Sequence, residues 1–356
     1  MVGMRPALRP ALLAPVLLTV IALSGCGAGA SAGTALDAGG SSDGGGSSDG
    51  GGSSDGGGGL QVVAAFYPLE FLASRVAGDR AEVTGLTPPG AEPHDLELSP
   101  QALAGLTEAD LLVVLGGFQP ALDDALSTTD APVLDLAAVA DRPYEAGAGH
   151  TDEHTDEHTD EHTDDAHPEQ REDAHPKDEH GHAETDPHFW TDPTHMAEAA
   201  QAVADALSAA DPDGADTYAA NAEALVADLD ELDAEAEAAF ASCEVGTLVT
   251  AHDAFGYFAD RYGFQVRPIN GLSPDQEPDA RTLAELSDFV ADNGVTTVYT
   301  ETLVSTAVAD TVAAEAGVGT AVLDPVEGLT GTSSGEDYLG VMRANIDAVR
   351  SGQACA

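Results

Sequence analysis

The stretch LQVVAAF at residues 60–66, followed by YPLEFLASRV at residues 67–76, sets the pattern of the fold. Residues 60–66 form a short apolar run, which predicts a buried strand. Residues 67–76 are predicted to form the helix that follows it. Where such strand–helix pairs repeat along a chain, they predict βαβ units and therefore a parallel sheet covered by helices.

The pair does repeat, on both sides of one long helical segment. We predict strands over residues 60–66, 81–86, 111–115, 133–134, 247–250, 265–269, 295–300 and 320–323. The predicted helices cover residues 67–76, 120–126, 193–210, 254–262, 281–293, 304–316 and 337–350, with a further short helix opened by Ser99-Pro100. The fold class is therefore α/β, with two lobes that each contain a mostly parallel sheet flanked by helices.

A long rigid helix is predicted to join these two lobes. Residues 213–241 are Ala-rich and acidic and contain neither glycine nor proline beyond Gly214. A helix of that length spans roughly 40 Å at about 1.5 Å per residue. We place the first lobe at residues 60–212, the linking helix at 213–241 and the second lobe at 242–356. A ligand is expected in the cleft between the lobes.

The residues before the first strand predict an export signal and a tether. Residues 1–26 have a basic start and an apolar segment, and they end in Leu23-Ser-Gly-Cys26, which resembles a bacterial lipoprotein box. That resemblance implies acylation of Cys26 and a lipid anchor on the outer face of the membrane. The alternative is a secreted protein with a chance cysteine. Residues 27–59 contain three copies of SSDGGG, which predicts a flexible tether. The two remaining cysteines, Cys243 and Cys355, are expected to pair in an exported protein.

Residues 150–182 form a segment rich in histidine and acid, which begins as a repeat of His-Thr-Asp-Glu. The part from His150 to Asp165 has no apolar residue to bury, so the segment predicts a mobile loop. Imidazoles and carboxylates bind divalent metals, and the loop is therefore predicted to collect metal ions weakly. The alternative is an acidic disordered tract without function. The candidate low-affinity ligands are His150, His154, His158, His162, His167, His175, His180 and His182.

The charge balance excludes one class of partner. The formal charge is −51 at pH 7, and Lys177 is the only lysine. Such a surface repels the phosphate backbone, so we expect no nucleic acid partner. The excess of acid fits attraction of divalent cations and, equally, adaptation to a salty exterior.

Four residues are candidate ligands of one buried metal site: His94, His188, His252 and Asp324. They are predicted to lie in loops after strands, where open α/β sheets bind ligands. Three imidazoles and one carboxylate make a tetrahedral set that suits zinc. Each candidate also has a structural alternative, because a histidine after a strand is often a capping or surface residue. Asp324 precedes Pro325 and is equally typical of a turn.

Neighbouring side chains are candidates for supporting roles. Glu301 follows another predicted strand and Asp253 is adjacent to His252, so either is suited to orient a ligand histidine. The alternatives are a solvated side chain for Glu301 and a capping group for Asp253. His195 is predicted to lie in the first turn of a helix.

The histidine-bearing segments occur in the order found in a known family. They are PGAEPHD at residues 89–95, DPHFWTDP at 186–193, AHDAFGYF at 251–258 and LDP at 323–325. Together they resemble the metal-site motifs of the zinc and manganese solute-binding proteins of ABC uptake transporters (ZnuA/TroA-like), over about residues 60–350. The resemblance implies two α/β lobes linked by a long helix, with the metal buried between them. It implies that His94, His188 and His252 are direct ligands, and that Asp324 is the fourth ligand or lies close to it, with water as the alternative.

The resemblance also favours one metal. Zinc members carry a His-rich acidic loop before the second ligand motif, as this chain does. Manganese members tend to have a carboxylate at the position of His252, which hardens the site. We therefore expect Zn²⁺, with Mn²⁺ less favoured. One departure is Pro93, which stands where some zinc members have an acidic residue. Glu92 lies one position further back, and a ligand role for it stays open.

These observations predict the receptor of a zinc importer. It is expected to be a monomer, lipid-anchored on the extracytoplasmic face of a bacterial membrane. It would deliver zinc to an ABC transporter permease driven by a cytoplasmic ATPase, and it would not be an enzyme. One alternative is a secreted zinc-dependent hydrolase with Asp324 or Glu301 as general base. The other is a passive surface metal buffer that acts through the loop alone.

Overall fold

The computed structural model describes residues 59–143, 185–275 and 278–356. The predicted signal peptide with Cys26, the tether up to residue 58 and the His-rich loop at 150–182 lie outside the described residues. Within the described ranges, no helix has both the length and the hydrophobicity needed to span a lipid bilayer.

The first lobe is built on a four-stranded sheet. Its elements are β1 (Leu60–Ala64), α1 (Tyr67–Ala77), β2 (Ala81–Gly85), α2 (Pro100–Glu108), β3 (Leu111–Val114), α3 (Pro120–Leu126) and β4 (Val133–Asp135). The strand order is β2-β1-β3-β4, and all neighbouring strands are parallel. β3 is a central strand buried along its whole length, which explains its unbroken apolar sequence LLVV.

The first lobe ends in the helix α4 (Pro193–Ala210), and the long helix α5 (Ala215–Ala239) leads from it to the second lobe. α4 starts where it was predicted because Asp192 caps it, accepting the N–H of Thr194 at 2.7 Å. Its apolar face is formed by buried residues three or four positions apart: Met196, Ala199, Ala200, Val203, Ala204 and Leu207. The long helix α5 begins two residues later than predicted, because Pro212–Gly214 forms a 3-10 turn.

The second lobe repeats the topology of the first. It contains β5 (Thr247–Thr250), α6 (Gly256–Tyr262), β6 (Gln265–Pro268), α7 (Ala280–Asp292), β7 (Thr297–Thr300), α8 (Ala307–Ala316), β8 (Gly319–Val322) and α9 (Tyr338–Gly352). The strand order is β6-β5-β7-β8, again parallel throughout. The predicted fold class, two parallel-sheet α/β lobes with a long helix between them, is confirmed.

The two lobes share a hydrophobic core. α5 contacts α1 and α4 of the first lobe and α9 of the second. One continuous cluster of buried side chains includes Phe66 and Trp190 from the first lobe together with Phe258 and Tyr338 from the second. Separating the lobes would expose these side chains to water, which costs free energy and disfavours wide opening.

A disulfide fixes the end of the chain. Cys243 and Cys355 are bonded to each other, with an S–S distance of 1.97 Å. Beside this bond, the N–H groups of Glu244 and Val245 donate to the carbonyl of Gln353 at 3.1 and 3.2 Å. The end of α9 is thereby held against the segment that enters β5.

Candidate metal centre

His94 lies in the loop between β2 and α2. The side chain of Gln119 donates to the carbonyl of Pro93 at 2.9 Å and so holds this loop in place. The imidazole packs against the ring of Phe118, with 4.5 Å between centroids. The backbone N–H of His94 donates to Glu92 Oε1 at 2.8 Å. The side chain of His94 is 11% exposed, which makes it the most accessible of the three candidate histidines.

His188 immediately precedes a 3-10 turn, Phe189–Thr191, that leads into α4. Its side chain is fully buried, and its Nδ1 lies 2.8 Å from Asp186 Oδ1. The same oxygen accepts the backbone N–H of His188 at 3.0 Å. Because the carboxylate accepts a proton on Nδ1, the lone pair of the neutral imidazole is on Nε2, which is free to bind a metal.

His252 follows β5 in the second lobe and is also fully buried. Its Nδ1 lies 2.8 and 2.7 Å from the two carboxylate oxygens of Glu301, which follows β7. Glu301 Oε1 also accepts the backbone N–H of His252 at 3.0 Å. The ring is oriented in the same way as that of His188, with Nε2 turned away from the supporting carboxylate.

The Nε2 atoms of the three histidines surround one carboxylate oxygen. Glu327 Oε1 lies 3.4 Å from His94 Nε2 and 3.3 Å from the Nε2 atoms of His188 and His252. These four residues form a group whose potential ligand atoms all lie within 4.8 Å of one another. In a zinc tetrahedron with bonds of about 2.0–2.1 Å, two ligand atoms are about 3.3–3.4 Å apart. The distances from Glu327 Oε1 therefore match the edges of such a tetrahedron.

Two of these nitrogens have no hydrogen-bond partner among the described residues. They are Nε2 of His188 and Nε2 of His252, and both are buried. Glu327 Oε1 is near each of them, but not in hydrogen-bonding geometry. A buried polar atom without a partner is costly unless something else satisfies it. The chemistry of the donor set, three imidazole nitrogens and one carboxylate oxygen, fits a zinc ion in that role.

Asp324, predicted to be the fourth ligand or to lie close to it, is not part of this group, and the carboxylate within the group belongs to Glu327. Asp324 Oδ1 accepts the N–H of Val326 at 2.8 Å, and Oδ2 accepts the hydroxyl of Thr302 at 3.0 Å. Both oxygens are therefore used to hold a turn. Val326 in this turn has a φ of 61°, which is rare for a β-branched residue. The left-handed residue turns the chain so that Glu327 faces the histidines.

The turn that carries Glu327 is held from both sides. The indole N–H of Trp190 donates to the carbonyl of Pro325 at 2.7 Å. Asn345, in α9, exchanges two hydrogen bonds with the backbone of Asp324, at 2.9 and 2.7 Å. Because Trp190 is two residues from His188, the carboxylate and that imidazole are linked through a short chain of contacts.

Asp253 and His195 are not members of this group of four. Asp253 is placed by its backbone N–H, which donates to the carbonyl of Gly271 at 3.0 Å. His195 lies in the first turn of α4, with Nδ1 3.0 Å from Asp192 Oδ2. The supporting residue Asp186 was missed by sequence reasoning. A usable signal was its position two residues before a ligand histidine, in the motif DPH.

Neighbouring carboxylates raise the pKa values of the two fully buried histidines, His188 and His252. Burial alone would lower the pKa of both imidazoles. For His188, the hydrogen bond to Asp186 and the nearby carboxylate of Glu327 outweigh burial and raise the pKa. For His252, the charges of Glu301 and Glu327 raise the pKa well above its usual value. Both imidazoles therefore hold a proton more strongly than a free imidazole, and a metal that bound them would have to displace it.

The pKa values of His94, Glu327 and Glu92 change in different directions. Burial lowers the pKa of His94, the histidine without a carboxylate at Nδ1 among the described contacts. Burial would raise the pKa of Glu327, but the surrounding imidazoles hold it well below its usual range. Burial, and then the charge of Glu327, raise the pKa of Glu92 to about 8. Glu327 is thus the group of the cluster that carries negative charge.

Zinc-induced stabilisation is expected to increase with pH. The raised pKa values of His188 and His252 contribute stability to the metal-free protein below pH 6.5, the unperturbed value, and that contribution is lost as pH rises through the folded pKa values. Zinc competes with the same protons, so it binds better as they leave. His94, whose pKa is lowered, loses its proton at lower pH and therefore contributes less to this trend than the other two rings. The measurement is the difference in unfolding temperature with and without zinc between about pH 5.5 and 8.5. A difference that stays constant or shrinks with rising pH would contradict the assignment.

Comparisons with known proteins point to the same chemistry. The model of the family ZnuA, described as the periplasmic component A of the zinc-uptake complex, matches residues 62–352. The zinc-binding protein AdcA of Streptococcus pyogenes serotype M6 is 36% identical over 295 residues, which are 82% of this chain and 55% of AdcA. This chain therefore spans about half the length of that relative.

Two further comparisons concern a relative that is matched over most of its length and a solved structure that contains zinc. The high-affinity zinc uptake system protein ZnuA of Bacillus subtilis is 33% identical over 297 residues, 82% of this chain and 86% of that protein. The crystal structure of Zn(II)-bound AdcA from Streptococcus pneumoniae superposes with a TM-score of 0.65 at 32% identity, covering 83% of this chain and 58% of AdcA.

Proposed function

The chain belongs to the ZnuA family of zinc-uptake components, and on that premise we propose that it captures extracytoplasmic zinc and delivers it to the permease of an ABC transporter. The observation that carries this proposal is the convergence of three imidazole Nε2 atoms on Glu327 Oε1 at 3.3–3.4 Å. The relatives with similar sequences are named as zinc-binding or zinc-uptake proteins, which supports zinc as the cargo.

The proposed ligands are His94, His188, His252 and Glu327. Two come from the first lobe and two from the second, so a bound ion would connect the lobes. Neutral imidazoles with one carboxylate favour zinc over manganese, which prefers a larger share of oxygen ligands. The Nδ1 contacts of His188 with Asp186 and of His252 with Glu301 orient the rings and increase their basicity.

A binding role fits the site better than hydrolysis. A catalytic zinc has three protein ligands and keeps the fourth position for water or substrate. Here four side chains offer ligand atoms that all lie within 4.8 Å of one another, which supports a fully occupied set of protein ligands. Of the two residues considered as a general base, Asp324 holds a turn through both oxygens and Glu301 holds the imidazole of His252. We therefore propose that the protein has no catalytic step.

The regions outside the described residues fit the same proposal. Acylation of Cys26 would anchor the chain to the outer face of the membrane, and residues 27–59 would act as the spacer. The histidines of the loop at 150–182 would raise the local zinc concentration near the site. Transfer to the permease, powered by a cytoplasmic ATPase, would then complete uptake, with the receptor acting as a monomer.

Zinc titration of the full chain and of a variant lacking residues 150–182 tests this function. We expect one tight site in both proteins and additional weak binding only in the full chain, because the tight ligands lie outside the loop. Calorimetry with a competing chelator measures both classes. Loss of the tight site together with the loop would favour the passive metal buffer. Hydrolytic turnover by the zinc-loaded protein would favour the enzyme.

A further inference from the structure

Arg142 occupies an unusual position at the boundary between the lobes. Its Nη1 lies 3.0 Å from Asp186 Oδ2, and its Nε lies 2.7 Å from Asp260 Oδ2. Its backbone N–H donates to the hydroxyl of Tyr257 at 2.9 Å. Asp260 and Tyr257 both belong to α6 of the second lobe. Arg142 therefore contacts the segment before His188 and the helix after His252 at the same time.

Asp186 transmits the position of Arg142 to a proposed ligand. Its side chain is completely buried, and its two oxygens have different tasks. Oδ2 accepts from Arg142, while Oδ1 accepts from the backbone N–H and from Nδ1 of His188, at 3.0 and 2.8 Å. A shift of the guanidinium would turn the carboxylate and, with it, the imidazole.

The pair of Arg142 and Asp186 lies directly on the backbone of Gly256, the first residue of α6. A Cβ atom at Gly256 would lie 2.4 Å from Arg142 Nη1 and 2.5 Å from Asp186 Oδ2, which is closer than real contacts allow. A side chain at this position would therefore force the pair of Arg142 and Asp186 to shift. Since Gly256 is four residues after His252, the pair contacts the same short segment that carries the histidine of the second lobe.

We propose that Arg142 is a positioning residue for zinc capture, which sets His188 through Asp186 and fixes it relative to the His252 segment by packing on Gly256. This inference rests on the proposed function, because it concerns the geometry of the same site. Arginine suits the role because its planar fork donates to two carboxylates in fixed directions, whereas lysine is a single flexible point charge. Changes to residues that orient a metal ligand typically lower metal affinity about 10- to 100-fold.

The test is zinc affinity, measured by competition with a chromophoric chelator, in a set of full-length variants. We expect Arg142→Gln to weaken binding about 10-fold or more, and Arg142→Lys to fall between that variant and the wild type. Gly256→Ala should weaken binding to a similar degree although it changes no charge and no ligand. The double variant Arg142→Gln, Gly256→Ala should lose less zinc affinity than the product of the two single fold-changes. Both substitutions act through Asp186, so their effects are not independent.

Arg75→Gln is the matched control. Arg75 has a similar side-chain exposure, 34% against 29% for Arg142, and it also pairs with a carboxylate, Asp228 at 2.6 Å. It has no contact with the cluster among the described interactions, so its loss should leave the zinc affinity within about twofold of the wild type, as for an exposed ion pair. If Arg75→Gln and Arg142→Gln weakened zinc binding equally, the inference would be overturned. The loss would then follow from removing a positive charge anywhere on the protein and not from the position of Arg142.

A second readout separates positioning from simple support of the fold. In the zinc-loaded protein, the proton on His188 Nδ1 should exchange slowly and give a ¹⁵N-coupled NMR signal, and in Arg142→Gln that signal should broaden or disappear. An unchanged signal, or a zinc affinity of Arg142→Gln within twofold of the wild type, would overturn the inference. His188→Ala provides the reference for the proposed function. If the wild type itself failed to bind zinc, or His188→Ala bound as tightly, the proposed function would fall instead.

Discussion

His252→Ala is expected to weaken zinc binding about 100- to 1000-fold, since four-ligand zinc sites have apparent binding free energies of about 10–16 kcal/mol and one of four ligands is lost. The substitution has a second effect in the absence of metal. The side chain of Glu301 is 3% exposed and would lose the imidazole that both of its oxygens contact. The metal-free protein should therefore lose about 1–3 kcal/mol of stability, the cost of leaving a buried polar group without its partner.

His195→Ala is the matched control for this result. His195 also contacts a carboxylate, Asp192 Oδ2 at 3.0 Å, but it lies outside the group of four candidate ligands. The zinc affinity of the His195→Ala protein should equal that of the wild type. Chelator competition gives the affinities, and chemical denaturation of the metal-free proteins gives the stabilities. A His252→Ala protein that kept the tight site would exclude His252 as a ligand and would leave the His-rich loop as the site of binding.

Glu327→Gln should have an effect of similar size, about 100-fold or more, because it removes the one anionic ligand while keeping the shape of the side chain. The neutral amide is a poor substitute for a carboxylate beside a divalent ion. In the metal-free protein, the imidazoles of His188 and His252 would lose the charge that helps to raise their pKa values. Zinc-induced stabilisation should then depend less on pH in this variant than in the wild type.

Asp324→Asn distinguishes the ligand from the residue that holds the turn. An amide at Asp324 can still accept the N–H of Val326 through its oxygen, and the hydroxyl of Thr302 can accept from its nitrogen. We therefore expect only a few-fold change in zinc affinity, because the contacts of the turn survive. The reverse order of effects, with Asp324→Asn as the more damaging change, would show that the fourth ligand had been assigned to the wrong carboxylate.

Local signals in the sequence predict most of the fold. β3 has an unbroken apolar run because both of its faces are covered, and α4 has a cap at Asp192, a proline at position 193 and a regular apolar face. Where a local turn signal competes with the helical pattern, the helix begins later than predicted. The predicted helix at residue 304 begins only at Ala307, since the hydroxyl of Ser305 accepts a backbone N–H and favours a turn there.

The site was only partly predictable, for a different reason. The three histidines were singled out because each was expected in a loop after a strand. His94 follows β2 and His252 follows β5, whereas His188 directly precedes a 3-10 turn. Glu327 was missed because its direction depends on the left-handed backbone of Val326, which no periodicity or composition indicates. Arg142 and Asp186 are 44 positions apart and meet only in the folded chain. Sequence reasoning therefore identified the three histidines that the fold brings together but not the contacts that orient them.

The location of Trp190 gives the chain an optical probe of its own. It is the only tryptophan in the sequence, it is fully buried, and its ring lies 5.2 Å from that of His188. Its indole N–H is bonded to a carbonyl contributed by the other half of the molecule. We therefore expect the fluorescence of this single indole to change if a metal binds at the neighbouring imidazole, and to change again if the contact across the boundary breaks, without any attached dye.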